Sequence, residues 1–182
     1  TTSLLQYHVI AGQSLTAAQV ISLSNGNLIK VTMANGDSAF VKASSAGVFI
    51  NGIQVTQPNL TGTNGIVHGV GRVLFPPAGN IVQTAQSITG GPAGFDSLVK
   101  AVVRVSTGAT GADNILDVLS NVNALTVFAP TNQAFADLFA NSSFPFRQIN
   151  DIDVPTLRAV LRHHVFTARA FSNDLANGNL AM

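Results

Sequence analysis

The chain has 182 residues, 46% of them hydrophobic and only 9% charged, which is the composition of a soluble globular protein able to bury one respectable core or parts of two. Its net charge of +1, with eight acids that are all Asp against nine Lys plus Arg, leaves no clustered cations for nucleic acid or an anionic membrane, and both are set aside as partners. It has no cysteine, which excludes disulfides and thiolate chemistry, and no apolar run approaches the roughly 18 to 20 residues that cross a bilayer.

In chain order, the first elements read mostly as strands. A short helix is expected at Leu15 to Ile21. Strands Leu28 to Met33 and Ser38 to Ala43 flank Ala34-Asn35-Gly36-Asp37, and strands Val48 to Ile50 and Ile53 to Thr56 flank Asn51-Gly52. Asn-Gly is a strong hairpin signal because both central residues of that turn take positive φ. A last strand alternates from Gly65 to Phe75. Pro76-Pro77-Ala78-Gly79-Asn80 then breaks the chain, because two prolines remove ladder donors.

The remainder reads as mostly helical: Phe95 to Val105, Ala112 to Ser120, Asn132 to Phe139 and Val154 to His164, with one buried strand at Leu125 to Phe128. Asp96 and Asp113 stand where carboxylates complement a helix dipole, and Asp153 before Val154-Pro155 reads as a cap with proline in the first turn. Leu157, Val160, Leu161 and His164 recur at helical spacing, which turns His164 toward a core. Segregated strands and helices imply an α+β fold.

A repeat underlies this split. Leu4-Leu5-Gln6-Tyr7-His8-Val9-Ile10 resembles Val160-Leu161-Arg162-His163-His164-Val165-Phe166 at an offset of 156 residues, and the match extends weakly from Leu15-Thr16 to Phe171-Ser172. With that period the chain starts in the middle of a unit. Residues 1–77 are then expected to be the second half of one repeat, 78–85 a linker, and 86–182 the first half of the next. Neither half has all the elements of a domain. The halves are expected to pack together, within one chain as a permuted domain or between chains as a homodimer formed by domain exchange.

Thr126-Val127-Phe128-Ala129-Pro130-Thr131-Asn132-Gln133-Ala134-Phe135 resembles the first signature box of the fasciclin family (fasciclin I / beta-Ig-H3). Thr63-Asn64-Gly65-Ile66-Val67-His68-Gly69-Val70-Gly71-Arg72-Val73-Leu74 with Pro76 resembles the second, with Gly71 where an Asp is frequent. Between the boxes the family carries a helix ending in Tyr-His, which Tyr7-His8 matches and His163-His164 approximates. The resemblance implies a β-wedge with a helical subdomain, built here from parts of two tandem repeats. It implies an extracellular or cell-surface module, exported by a signal outside this segment, that serves adhesion or matrix association. Its expected contacts are exposed loops and the Tyr-His helix, Tyr7, His8, His163 and His164. Thr126, Phe128, Pro130, Thr131, Asn132, Phe135, Asn64, Gly65 and His68 are the motif positions expected to be structural.

Read as chemistry, the same residues favour binding over catalysis. An imidazole at a helix end can lock the turn by bonding a backbone carbonyl, and that structural role is the first reading of His8 and His164. His68, on a strand, reads as a buried hydrogen-bonding residue. His163 and His164 point about 100° apart on a helix and share a metal ion poorly. No Gly-x-Ser-x-Gly elbow is present, and Gly108-Ala109-Thr110-Gly111-Ala112 lacks the Lys-Ser/Thr pair of a phosphate loop. Neither an enzyme nor a cofactor is expected. The expected partners are cell-surface or matrix proteins. A polysaccharide-binding module is the second class, poorly served by a chain with no Trp and one Tyr, and an architectural spacer is the third.

Overall fold

The computed structural model describes residues 2–175. They form two compact units, residues 2–77 together with 171–175, and residues 78–170.

The first unit is built on a five-stranded antiparallel meander, β1 (Ile29–Thr32), β2 (Ser38–Ser44), β3 (Gly47–Ile50), β4 (Ile53–Gly62) and β5 (Gly65–Val70), each strand pairing with the next. Two hairpins have the geometry their sequences demand. Asn51 and Gly52 both take positive φ, 47° and 76°, in the two-residue turn between Ile50 and Ile53. Gly62 and Gly65 pair across Thr63-Asn64. Alternation along β2 buries Ala39, Val41 and Ala43 on one face, where helix α2 (Ala17–Ser24) packs. Thr16 caps α2 in a reciprocal capping box with Gln19. The buried Ser24 hydroxyl ties this helix to the sheet, accepting from the Ala43 N–H at 3.1 Å and donating to the Asn27 carbonyl at 2.6 Å. Tyr7, Met33, Ala39 and Leu74 form the core of this unit.

Helix α1 (Thr2–Gln6) precedes α2 and leads into Tyr7-His8, where the resemblance implies a helix. Two expectations are corrected here. The last strand stops at Val70 rather than Phe75, because Gly71 is the last residue that meets β4, through its N–H to the Gln54 carbonyl, before the partner strand enters the Asn51-Gly52 turn. The short helix α8 (Ser172–Leu175) belongs to this unit, with the preceding Phe171 close to Gly52 and Asp174 bonded to Lys42 at 2.7 Å.

The second unit is helical. Residues expected to be an open linker enter helix α3 (Ile81–Ser87), which Asn80 caps in a reciprocal box with Gln83. It packs with α4 (Asp96–Ser106) and α5 (Ile115–Asn121). Strand β6 (Thr126–Val127), helix α6 (Asn132–Ala140), helix α7 (Val154–His163) and strand β7 (Val165–Phe166) follow. The β7 strand pairs antiparallel with β6. Asp153 caps α7 through the Thr156 N–H, with Pro155 in the first turn. Asp113 lies in a 3-10 turn, Gly111–Asp113, just before the α5 cap Asn114, and its carboxylate pairs with Arg162 and, at 3.8 Å, Arg158. Leu98, Val105, Ile115, Leu119, Leu157 and Leu161 anchor the core. The described chain therefore has the α+β content expected, with the five-stranded sheet in the first unit and five of the α-helices, with the small β6–β7 pair, in the second.

Candidate functional site

Tyr7-His8 has a counterpart in His163-His164, and each copy places an imidazole, His8 or His164, just beyond the end of a helix. In the first unit His8 Nδ1 lies 2.8 Å from the Leu4 carbonyl, and the Leu74 N–H donates to its Nε2 at 3.0 Å. Because Nε2 accepts, the proton sits on Nδ1 and is donated to Leu4, so the neutral ring staples α1 to the segment after β5. Tyr7 is 1% exposed, and its hydroxyl donates to the Ser38 carbonyl and accepts from the Asn51 Nδ2. The Asn51 Oδ1 in turn accepts from the Phe40 N–H. Tyr7 is thus a positioning residue inside the sheet unit and not an accessible contact, which corrects the expectation that the whole Tyr-His helix faces a partner. His8 is exposed at its surface.

In the second unit His164 repeats the first half of this arrangement, with Nδ1 2.9 Å from the Val160 carbonyl, and its Nε2 has no partner among the described residues. His164 is half-buried at an apolar cavity of about 380 Å³ walled by Val82, Phe95, Leu98, Val102, Val127 and Val165. His163 is exposed. The first unit has a cavity of about 430 Å³, with His8, Val9, Val31, Val41, Ile66 and Leu74 in its wall.

The first box is a bracket for the helical unit. Thr126 Oγ1 donates to the Ala168 carbonyl and accepts from the Ala170 N–H, and the Phe128 N–H bonds the His164 carbonyl. Thr131 caps α6 through the Ala134 N–H, and Phe135 is buried in the core. Pro130 is half-buried, whereas the Phe128 ring is 46% exposed. Asn132 is the clasp. Its Oδ1 accepts from the Ser97 N–H, and its Nδ2 donates to the Gly91 carbonyl and to Asp96 at 2.8 Å. That amide, with the Gly90 N–H, holds the Asp96 carboxyl below its ordinary 3.8.

The second box ties α2 to the long β4–β5 hairpin. The Asn59 N–H donates to His68 Nδ1, so Nε2 carries the proton toward the Leu15 carbonyl at 2.8 Å. His68 is half-buried rather than buried, and Thr63-Asn64 forms the exposed tip, with Gly65 half-buried at the start of β5. Asn59, at positive φ beside a register shift, also accepts from the Ala17 N–H. Sequence reading placed Asn51 in its turn but missed the bonds its side chain makes, and it missed Asn59 altogether, for which the signal was an asparagine inside a strand. The same hairpin leaves the facing pair Leu60 and Val67 exposed by 50% and 60%.

Among the described residues no cluster of His and Asp side chains could hold a metal ion, and no helix is long and apolar enough to cross a membrane. The fasciclin domain family model matches residues 1–76 and 97–181. The chain belongs to the fasciclin domain family. Among solved structures it is similar to a FAS1 domain pair from the insect cell adhesion molecule fasciclin I, at 18% identity and a TM-score of 0.39, over 95% of this chain and 58% of that one. No curated protein matches.

Proposed function

We propose that this chain is a non-catalytic, extracellular adhesion or matrix-association module made of two complementary half repeats, the sheet half of one fasciclin domain followed by the helical half of the next. Membership of the fasciclin family over two separate segments carries the reading. Two further features support a protein partner over a polysaccharide. The one tyrosine is buried, so it offers no stacking platform. The β4–β5 hairpin presents the apolar pair Leu60 and Val67 in polar surroundings, and exposed loops of this kind suit a protein contact. His8 and His163, both exposed, are the secondary contact residues.

The test is binding of the full chain to cells and to surfaces coated with matrix proteins, compared with Leu60→Asp, Val67→Asp and His163→Ala. The hairpin variants are expected to weaken binding by at least about tenfold. Binding undiminished in all three overturns this contact surface, and absence of any binding favours the architectural spacer.

A further inference from the structure

The two copies of the helix-His element are covered on opposite sides. Leu5 and Leu161 occupy the same repeat position, yet Leu5 is 70% exposed and Leu161 is 4% exposed, because only the second copy has α4 and α5 in its unit. Tyr7 and His163 also correspond, and here the coverage reverses: Tyr7 is 1% exposed under the sheet, whereas His163 is exposed. Val9 is 51% exposed where Val165 is half-buried and paired with Val127. Each copy therefore lacks the layer that the other unit possesses. The cavities correspond in the same way, since His8 and Val9 line one and the equivalent His164 and Val165 line the other.

We propose that the helical unit of one chain docks on the sheet unit of a second copy of the same chain, where its α7–β7 segment displaces that copy's own residues 2–10. This rests on reading the units as complementary half repeats. Displacement is required because both units carry the element and the sheet has one place for it. The incoming copy is the better anchored. α7 has ten residues, a capped N-terminus and two buried leucines, whereas α1 has five residues and none of them is buried. The resident segment gives up the bonds from the Asn51 amide to Tyr7, from the Ala34 N–H to the Val9 carbonyl and from Asn35 to Ser3, and two others are replaced in kind. The Nε2 of His164 takes the Leu74 N–H that His8 accepted, and the His163 ring reaches the place of the Tyr7 phenol with an N–H to offer the Ser38 carbonyl. Closing two apolar cavities against each other is then the net gain. Two-fold symmetry repeats the contact, so a closed dimer results.

Sedimentation velocity on the full chain across a dilution series tests this. The wild type is expected to pass from one chain to two as concentration rises. Val82→Asp, which places a charge in the helical unit's cavity, should abolish the dimer, and His164→Ala should weaken it about tenfold. Tyr7→Ala loosens the resident segment and should tighten the dimer about tenfold, an effect that Val82→Asp cancels in the double variant. Non-specific aggregation of a damaged Tyr7→Ala chain would not be cancelled and would count against the proposal. A single-chain mass at every concentration, or a dimer indifferent to Val82→Asp and His164→Ala, overturns it. For a chain that stays single, uptake of an apolar dye such as ANS leaves the half-repeat reading standing. No uptake means that the two half repeats cover each other within one chain, which overturns exchange between copies and leaves adhesion to the binding assay.

Discussion

His8 and His164 sit at the ends of helices of related sequence and make the same bond to the carbonyl four residues back, yet one has a second partner and the other does not. The difference comes from the units, not from the residues. The sheet unit brings Leu74 to His8, and the helical unit brings an apolar cavity to His164. A motif thus has one intrinsic property, the lock on its own helix end, and one acquired property, which depends on what the surrounding unit supplies.

The corresponding leucines give the sharpest test of this contrast. Leu161→Ala is expected to cost about 2–5 kcal/mol in denaturant unfolding of the second unit, because it leaves a cavity in a packed core. Leu5→Ala, at the same repeat position, is expected to stay within about 0.5 kcal/mol. Equal costs would break the comparison. Next comes the ring position. Tyr7→Phe removes a buried hydroxyl and strands the Ser38 carbonyl and the Asn51 amide, an expected loss of about 1–3 kcal/mol. His163→Phe should be nearly silent in the same measurement. A smaller effect, about 1 kcal/mol, is expected for Thr131→Ala, which removes the α6 cap.

Acid sharpens the comparison from another direction. Asp96, held low chiefly by the Asn132 side chain, Asp151, held low chiefly by Gln148, and Asp153, held low chiefly by the Thr156 N–H, all belong to the second unit. Their folded values lie below the ordinary 3.8, so their contribution is complete above that pH and is lost as pH falls through it toward the folded values. Thermal melts followed from pH 6 downward by helical circular dichroism should therefore show the second unit weakening below about pH 4. Asn132→Ala should shift the Asp96 titration, followed by carboxyl carbon NMR, back up toward 3.8. An unmoved titration would mean that the Asn132 amide does not hold that carboxylate.

Much of this was legible in the residues. Alternation in β2, the Asn51-Gly52 turn, the Asp153-Val154-Pro155 start of α7 and the periodicity of Leu157 and Leu161 are local signals, and local geometry obeys them. The family, too, was readable from two short boxes. Elements that depend on distant partners were missed. β7 is two residues long and exists because β6 is there to pair with it, and α3 hides behind Pro76-Pro77-Ala78-Gly79, where its Asn80–Gln83 capping box reads as a turn. The placement of Phe171 to Leu175 with the first unit rests on contacts with Gly52 and Lys42, more than a hundred residues earlier in sequence.

By itself, then, the sequence determined most of the strands, the major helices, the Asp153 cap of α7 and the family, because period, turn chemistry and capping act over a few residues. Only the tertiary structure decided that Tyr7 is buried while His163 is exposed, that Leu5 is bare while Leu161 is covered, and that His8 but not His164 meets a backbone N–H. Burial and hydrogen-bond pairing are properties of what is brought alongside a residue, and two copies of one motif cannot reveal in sequence that different layers will cover them.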